Sequence, residues 1–380
     1  MASWKSLAVG NMLSAIASWI CLQSFSQRPH NISSVYQASN PTDCLEPTIS
    51  TTLEQVVDCL NTFTVPEGHY DEFTYEAAQP NATERAAWPR IISSFLDVDG
   101  NCMSIVLPDT LVDTYTISQF TEPSGASYCV FVELHGEKQF VRGWGTFVVP
   151  ATRTGVSRHL HLSAPHPLFD GDTPQQAAAL FRATGAKSLF IAGRSRLAFK
   201  TQSDCVKGSG NTTYYMTDPA HNKLEPFYDA MRSIFMWQMS NGGCPPTSCA
   251  FIQFHGKNTS SCSTDQIFLS AGLGTSTSSI DWYTNDVPRP IKRLKAELQH
   301  AFPMWNISMP SDSKCGLTAT KNVVGRLLNG IEDRLVCTTA SQASLATGFF
   351  VHVEQAPVVL SPEMYGPWTE ALVNAFEETP

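Results

Sequence analysis

Charged residues are scarce in this sequence, and no stretch of it is strongly basic. Asp, Glu, Lys and Arg make up 16% of the 380 residues, and the formal net charge is −9. A nucleic-acid-binding surface needs clustered lysine and arginine to neutralise phosphates, so the sequence disfavours nucleic acid as a partner. A hydrophobic content of 42% predicts instead a folded protein with a large core.

Two motifs that identify common enzyme classes are missing. No Gly-x-Ser-x-Gly segment occurs, so the sequence lacks the strand-to-helix turn that presents a serine nucleophile in α/β-hydrolases. No Gly-x-Gly-x-x-Gly fingerprint of a dinucleotide-binding turn occurs either. The chain also has no repeat and no long low-complexity linker. These absences disfavour a serine hydrolase and a dinucleotide-binding enzyme.

The N-terminus has the features of a secretory signal peptide, which we place at residues 1–26. Lys5 supplies the positive charge, residues 7–22 form an interrupted apolar run, and Ser24 and Ser26 are the small residues before the cleavage point. A membrane anchor is the alternative, but the apolar run is shorter than the roughly 20 residues of a membrane span. We therefore predict a secreted, extracellular protein with no membrane association after cleavage.

The cysteine count supports secretion. One of the 11 cysteines, Cys21, falls inside the predicted signal. Ten remain, and an even number predicts a disulfide framework in an oxidising compartment: Cys44, Cys59, Cys102, Cys129, Cys205, Cys244, Cys249, Cys262, Cys315 and Cys337. The spacing of Cys244, Cys249 and Cys262 also permits a zinc knot, but disulfides are the better interpretation for a secreted chain.

Five Asn-x-Ser/Thr sequons point in the same direction. They predict N-linked glycans on a secreted protein, at Asn31, Asn81, Asn211, Asn258 and Asn306.

The chain divides into an extension and one larger domain. Residues 27–85 are polar, with one short predicted helix at 52–60, and we interpret them as an N-terminal extension held by disulfides. Residues 86–380 are predicted to form an α/β domain. Seven short apolar segments rich in Val, Ile and Phe predict buried strands, at 128–134, 146–149, 160–164, 188–192, 250–255, 266–270 and 349–354.

Helices alternate with these strands and complete the predicted fold. One helix follows the loop 165–172: Thr173 is its expected cap, Gln176 completes a capping box, and Gly185 ends it. Further helices are predicted at 226–237, from Pro290, and from Ser361. The expected fold class is α/β, with a single mixed central sheet flanked by helices.

Three predicted strands end in residues able to bind a metal or move a proton. His166 and Asp170 follow one strand, His255 ends a second, and Glu354 ends a third. Ligands bind beyond the carboxyl ends of strands in α/β sheets. Two histidines and a carboxylate are a typical catalytic Zn²⁺ set, and Glu354 is placed to act as general base. Asp172 is a second candidate for the carboxylate ligand.

In these regions the chain resembles the zinc carboxypeptidase superfamily, and within it the phage-type poly-γ-glutamate hydrolases and related secreted metallo-amidohydrolases. The resemblance covers segments 166–196, 254–256, 322–330 and 350–355. It implies a zinc-exopeptidase-like sheet and a Zn²⁺ cofactor held by His166, Asp170 and His255. It also implies that Glu354 acts as the general base for a metal-activated water, which cleaves a peptide, γ-glutamyl or N-acyl amide bond. The metal loop departs from the family pattern, because it contains Pro-Leu-Phe instead of glycines and offers Asp instead of Glu.

Several arginines and histidines are candidates for supporting roles. The resemblance implies an arginine that holds a substrate carboxylate or polarises the scissile carbonyl, and Arg326 fits because a guanidinium is planar and permanently charged. Arg194 and Arg196, just after the 188–192 strand, are the other arginine candidates. His221 is a candidate for lining the cleft. Candidate partners that orient the metal ligands are His159, His161 and His352.

Two other function classes stay open. Arg158-His159 prompts a histidine-nucleophile phosphatase, although the residues that follow do not match the Arg-His-Gly-x-Arg arrangement of that class. A binding or structural secreted glycoprotein whose metal pocket has lost its chemistry is the main alternative, since histidines at strand ends are often structural and Asp170-Gly-Asp172 is also good turn chemistry.

Overall fold

The structure is a computed structural model and describes residues 38–208, 210 and 212–379. The predicted signal peptide and the sequons at Asn31 and Asn211 lie outside the described residues. None of the helices in the described part of the chain has both the length and the apolar content to cross a membrane.

Strands and helices alternate along the described residues. The strands are β1 (Tyr115–Thr121), β2 (Ser127–Glu133), β3 (Thr146–Pro150), β4 (Arg158–Ala164), β5 (Ala186–Ile191), β6 (Cys249–Gly256), β7 (Ile267–Ser270), β8 (Ile307–Ser308) and β9 (Phe350–Gln355). The helices are α1 (Leu53–Asn61), α2 (Glu72–Ala78), α3 (Ala82–Leu96), α4 (Thr173–Thr184), α5 (Pro226–Ser240), α6 (Thr277–Thr284), α7 (Pro290–Ala301), α8 (Val323–Leu328) and α9 (Tyr365–Ala375).

All described strands belong to one mixed sheet, which confirms the predicted fold class. Its order is β1-β2-β3-β5-β4-β6-β9-β7-β8. The central strands β5, β4, β6 and β9 are parallel to one another, and the flanking pairs include antiparallel ones. The seven predicted strands are confirmed, each within about two residues. β1 and β8 were not predicted.

Apolar side chains cover both faces of this sheet. On one face, Leu162 of β4 and Ile252 of β6 share a core with helices α1, α4, α7 and α9. On the other face, Phe251 and Phe350 pack with α3, α5 and α8. Successive residues of a strand point to opposite faces, so strands buried on both faces consist of nearly continuous apolar runs. This burial explains why short apolar segments rich in Val, Ile and Phe identified the strands in the sequence.

The N-terminal extension is part of the same compact unit as the rest of the described chain. Its disulfide, Cys44–Cys59, lies within the extension, so packing attaches it to the domain. Val65 pairs with Arg194 in a parallel bridge, and its amide donates to the Gly193 carbonyl at 3.0 Å. The boundary expected at residue 85 falls inside α3.

All ten cysteines after the predicted signal are paired, which confirms the disulfide interpretation. The pairs are Cys44–Cys59, Cys102–Cys129, Cys205–Cys337, Cys244–Cys249 and Cys262–Cys315. The zinc-knot alternative is excluded, because Cys244 and Cys249 are bonded to each other.

The helix α4 starts differently from the prediction and ends as predicted. Asp172 precedes the helix and Thr173 is its first residue, so the predicted capping box is wrong. The Gln176 side chain instead donates to the Gln355 side-chain oxygen at 3.0 Å. Gly185 ends α4 with a left-handed φ of 59°, the conformation for which glycine is favoured.

Candidate metal centre

The parallel strands bring the predicted site residues to one edge of the sheet. β6 lies between β4 and β9, and His255 pairs directly with Glu354 in the ladder of β6 and β9. His166 lies two residues beyond the end of β4. The carboxyl ends of parallel strands meet at one edge, so three distant segments of the sequence become neighbours here.

Gly256 lets the loop after β4 approach the end of β6. A Cβ atom at position 256 would lie 2.5 Å from the Asp170 carbonyl oxygen. The loop is held by helix-like bonds, in which the amides of Phe169 and Asp170 donate to the His166 carbonyl at 3.2 and 3.0 Å. The glycine after His255 therefore keeps Asp170 within reach of that histidine.

Replacing Gly256 by Ala is expected to destabilise the protein by about 1–3 kcal/mol, because the added methyl overlaps backbone that cannot rotate away. Urea unfolding of the full chain measures the effect. The matched control is Gly316→Ala, since a Cβ there meets nothing within 4 Å and the backbone φ is ordinary. Equal stability of the two variants would contradict the close approach.

Three ligand atoms form a nearly regular triangle at the centre of the site. His166 Nδ1 and His255 Nδ1 each lie 3.0 Å from Asp170 Oδ2, and the two nitrogens are 3.1 Å apart. Donor atoms around a tetrahedral zinc are separated by about 3.3 Å. All three side chains are buried. Asp172 is exposed at the start of α4, so Asp170 is the carboxylate that meets the histidines.

Hydrogen bonds on the far side of His255 leave its Nδ1 without a proton. The Gly325 amide donates to Asn322 Oδ1 at 2.9 Å, which turns the Asn322 amide nitrogen towards Gln253 Oε1 at 2.5 Å. That oxygen is therefore the acceptor for His255 Nε2 at 2.9 Å. With the proton on Nε2, the Nδ1 lone pair of His255 faces the centre of the triangle of ligand atoms.

Both ring nitrogens of His166 face carboxylates. Its Nε2 lies 3.0 Å from Asp218 Oδ1, and an ionised carboxylate only accepts, so Nε2 carries a proton. Its Nδ1 faces the Asp170 carboxylate in turn, so binding of a cation would release any proton held there and bring two imidazole nitrogens and a carboxylate oxygen onto one ion. Such a donor set fits a divalent cation, and partners that orient the ligands from behind are typical of metal sites.

The protonation of the three ligands differs: burial and Arg196 would lower the pKa of His166, but Asp170 and Asp218 outweigh them and raise it above its ordinary value. Burial lowers the pKa of His255 to about 4. Burial alone would raise the pKa of Asp170, but His166 and His255 outweigh it and hold this pKa below its usual range. A neutral imidazole beside an ionised carboxylate is the protonation state that a metal requires of its ligands.

Glu354 and His352 flank the triangle on β9. The Glu354 side chain is 13% exposed, and its Oε1 lies 3.5 Å from His352 Nε2. Burial and the nearby Asp170 charge raise the pKa of Glu354 well above its ordinary value. The His352 ring packs on the His255 ring with centroids 4.4 Å apart. Ligand atoms of His255, His352 and Glu354 also lie within 4.8 Å of one another, but the His255 lone pair already faces Asp170.

Asp218 was not predicted as a functional residue, yet it anchors one side of the site. It is fully buried and accepts from His166, from His221 Nδ1 at 3.0 Å, and from the Arg196 guanidinium. Burial would raise the pKa of Asp218, but Arg196, His221 and His166 hold it well below its usual range. The only sequence signal was its place in the polar loop that contains His221.

The three candidate arginines have different surroundings. Arg196 lines the cleft that opens above the triangle of ligand atoms, and its Nη1 lies 3.4 Å from His166 Nδ1. Arg194 is not part of the cleft lining: its guanidinium makes two 2.7 Å bonds to Glu225. Arg326 donates to the backbone carbonyls of Thr320, Val336 and Cys337. It does not line the cleft itself, but it holds the loop that contains Thr320, which does.

The remaining predicted histidines separate into two groups. His221 lines the cleft and stacks on Tyr214 with ring centroids 3.6 Å apart. His161 lies inside the sheet layer, bonded to Ser188 and Gln238.

Arg158 is at the amino end of β4, at the opposite edge of the sheet from the triangle. Its guanidinium donates to the Phe376 and Thr184 carbonyls. An arginine with these partners does not fit a phosphate-binding role for Arg158-His159.

A cleft of about 550 Å³ opens above the triangle. Its lining comes from the site residues and from the loop segments 212–221, 256–261 and 316–322. Pockets of roughly 300–1,000 Å³ accommodate small-molecule ligands, so the cleft is large enough for one or two amino-acid units. The Cys262–Cys315 disulfide joins two of the loop segments that form its walls.

Comparisons with known proteins do not assign the chain to a family. No family model matches it, and no curated protein sequence matches it. Among solved structures it is similar to one described as "Putative carboxypeptidase A" from Shewanella denitrificans OS-217, with a TM-score of 0.32 and 12% identity over 69% of this chain and 76% of that chain. A likeness this weak carries no argument, so the case for a function depends on the site itself.

Proposed function

We propose that this protein is a secreted zinc-dependent hydrolase that cleaves an amide bond in a peptide, γ-glutamyl or N-acyl amino acid substrate. The observation that supports it most strongly is the convergence of three potential ligand atoms, from His166, Asp170 and His255, at separations of 3.0–3.1 Å. Two nitrogen donors and one carboxylate oxygen favour Zn²⁺ and leave a coordination position open for catalysis.

A bound Zn²⁺ would supply Lewis-acid polarisation and would lower the pKa of water to about 7. Glu354 supplies the base, since it is adjacent to His255 in the sheet and lines the cleft. It takes a proton from the attacking water and returns it to the leaving nitrogen. Its raised pKa suits a carboxyl group that must both accept and release a proton.

Arg196 supplies a positive charge for the substrate. One end of its guanidinium is held by Asp218, which fixes the fork and leaves the cleft side to bind the substrate carbonyl or a carboxylate. A preorganised cation in a partly buried site stabilises developing negative charge without reorganisation. Five disulfides are consistent with an extracellular location.

Metal analysis of the purified full chain tests the proposal. Wild-type protein is expected to carry about one zinc per chain, and His255→Ala close to none, because the variant lacks one of three ligands. Added zinc should raise the melting temperature of metal-free wild type and not that of the variant. The matched control is His300→Ala, which removes an exposed histidine of α7 and should keep the zinc.

A panel of peptide, γ-glutamyl and N-acyl amino acid substrates then separates catalysis from binding. Turnover that a chelator abolishes and zinc restores supports the hydrolase. Stoichiometric zinc without turnover on any of these amides would favour the alternative, a secreted metal-binding glycoprotein. Wild-type protein with no affinity for zinc would overturn the proposal.

A further inference from the structure

Three of the five sequons lie in the described residues, at Asn81, Asn258 and Asn306. All three asparagines are exposed, so exposure does not distinguish them. An N-glycan is attached to the side-chain nitrogen Nδ2 and takes the place of one of its two hydrogens. The hydrogen bonds of each Nδ2 therefore decide whether the folded protein accommodates a glycan there.

Asn258 presents its amide nitrogen to solvent. Its Oδ1 accepts from the Ser260 amide at 3.0 Å and from Ser260 Oγ at 2.9 Å, a turn in which the side chain bonds its own backbone. Its Nδ2 donates no hydrogen bond to any described residue. The asparagine also lines the cleft, three residues after His255.

Asn81 has the same arrangement at the start of α3. Its Oδ1 accepts from Thr83 Oγ1 at 2.7 Å and from the Glu84 amide at 3.0 Å, as a helix cap does. Its Nδ2 makes no hydrogen bond within the described part of the chain. In both sequons the hydroxyl of the third residue donates to the asparagine oxygen, which keeps the nitrogen pointing away from the protein.

Asn306 is arranged in the opposite way. Its Nδ2 donates to the Thr264 carbonyl at 3.2 Å and to Asp265 Oδ1 at 3.1 Å, so both amide hydrogens are used. The third residue of its sequon, Ser308, is buried and donates to Asp265 instead of to the asparagine. A glycan would remove one of the two bonds and would have to pass between Asn306 and the loop that contains Thr264.

We propose that Asn258 and Asn81 are N-glycosylation sites of the secreted protein, that Asn306 is not, and that the Asn258 glycan stands at the rim of the cleft. The donor class is an oligosaccharide on a lipid diphosphate. A bond forms between the sugar anomeric carbon and Nδ2, the carbon–oxygen bond to the diphosphate breaks, and the amide loses one proton. This modification does not depend on the hydrolase proposal.

Peptide mapping of the full chain, secreted from a eukaryotic host, tests the assignment. Enzymatic removal of N-glycans in ¹⁸O-labelled water converts each glycosylated Asn to labelled Asp. We expect label at positions 81 and 258 in most molecules and none at 306. Unlabelled Asn258, or label at 306 equal to that at 258, would overturn the proposal.

The variant Ser260→Ala provides an independent check, because it removes the sequon hydroxyl and keeps Asn258. We expect the intact mass to fall by one glycan and the label at 258 to disappear while that at 81 stays. Asn258→Gln should give the same loss. An unchanged glycan mass in both variants would contradict glycosylation at Asn258, whether or not the protein turns over any amide.

Discussion

Replacing Glu354 by Gln is expected to lower kcat about 10²–10⁴-fold while zinc stays bound. Glutamine has nearly the same shape as glutamate but cannot accept a proton at neutral pH. Zinc is retained because His166, Asp170 and His255 are unchanged. The measurement is kcat on the best substrate of the amide panel, together with zinc content. Wild-type turnover by the variant would show that Glu354 is not the base.

The pH dependence of kcat/KM gives a second readout for Glu354. A general base works in its ionised form, so activity is present above its pKa and is lost as pH falls through it. Burial and Asp170 raise the pKa of Glu354 in the metal-free chain and a bound Zn²⁺ would lower it, so the acid limb of the wild-type profile marks the pKa of Glu354 in the zinc-loaded protein. The residual activity of Glu354→Gln should lack this limb. The control is Glu370→Gln, an exposed carboxyl on α9, which should behave like wild type.

Replacing Arg196 by Lys is expected to lower kcat/KM about 10²–10³-fold with zinc still bound. Lysine keeps the positive charge but loses the planar fork that bonds Asp218 and the substrate together. Steady-state kinetics and zinc analysis on one preparation give both quantities. Less than a tenfold loss would contradict a role for Arg196 in binding the reacting group.

Zinc content also distinguishes the two ways in which Arg196 could act. If Arg196 only held Asp218 in place, His166 would lose its orientation and the variant would lose zinc together with activity. Retained zinc with reduced kcat/KM points to contact with the substrate. The control is Arg153→Lys, since the Arg153 side chain is 71% exposed and lies outside the cleft lining, and its kinetics should match wild type.

The sequence alone predicted the central sheet and the candidate ligands because both depend on local pattern. Strands buried on two faces are continuous apolar runs, so their positions were predicted within about two residues. His166, His255 and Glu354 directly follow or end such strands, and the common edge of parallel strands then brings them together. The triangle of donor atoms agrees with the predicted ligand set, although its role as a zinc site stays a prediction.

The extension and the loops were predicted less well, because long-range contacts decide them. Arg194 and Arg196 are two residues apart in an irregular segment with no periodicity, so no pattern could show which one faces the cleft. Glu225 binds Arg194 and Asp218 binds Arg196, and both carboxylates come from other parts of the chain. The bridge between Val65 and Arg194 likewise joins the extension to the domain in a way that composition does not reveal.

What the sequence by itself determined is the set of groups: the α/β pattern, ten cysteines after the predicted signal, and two histidines with two acids at strand ends. What only the tertiary structure decided is the state and direction of those groups. A series of hydrogen bonds from Gly325 through Asn322 to Gln253 orients His255, and Asp218 orients His166. The loop that contains Thr264 and Asp265 accepts both hydrogen bonds of the Asn306 amide nitrogen. Each of these depends on partners far apart in sequence, because a proton or a lone pair is directed by the neighbours that folding brings within hydrogen-bond distance.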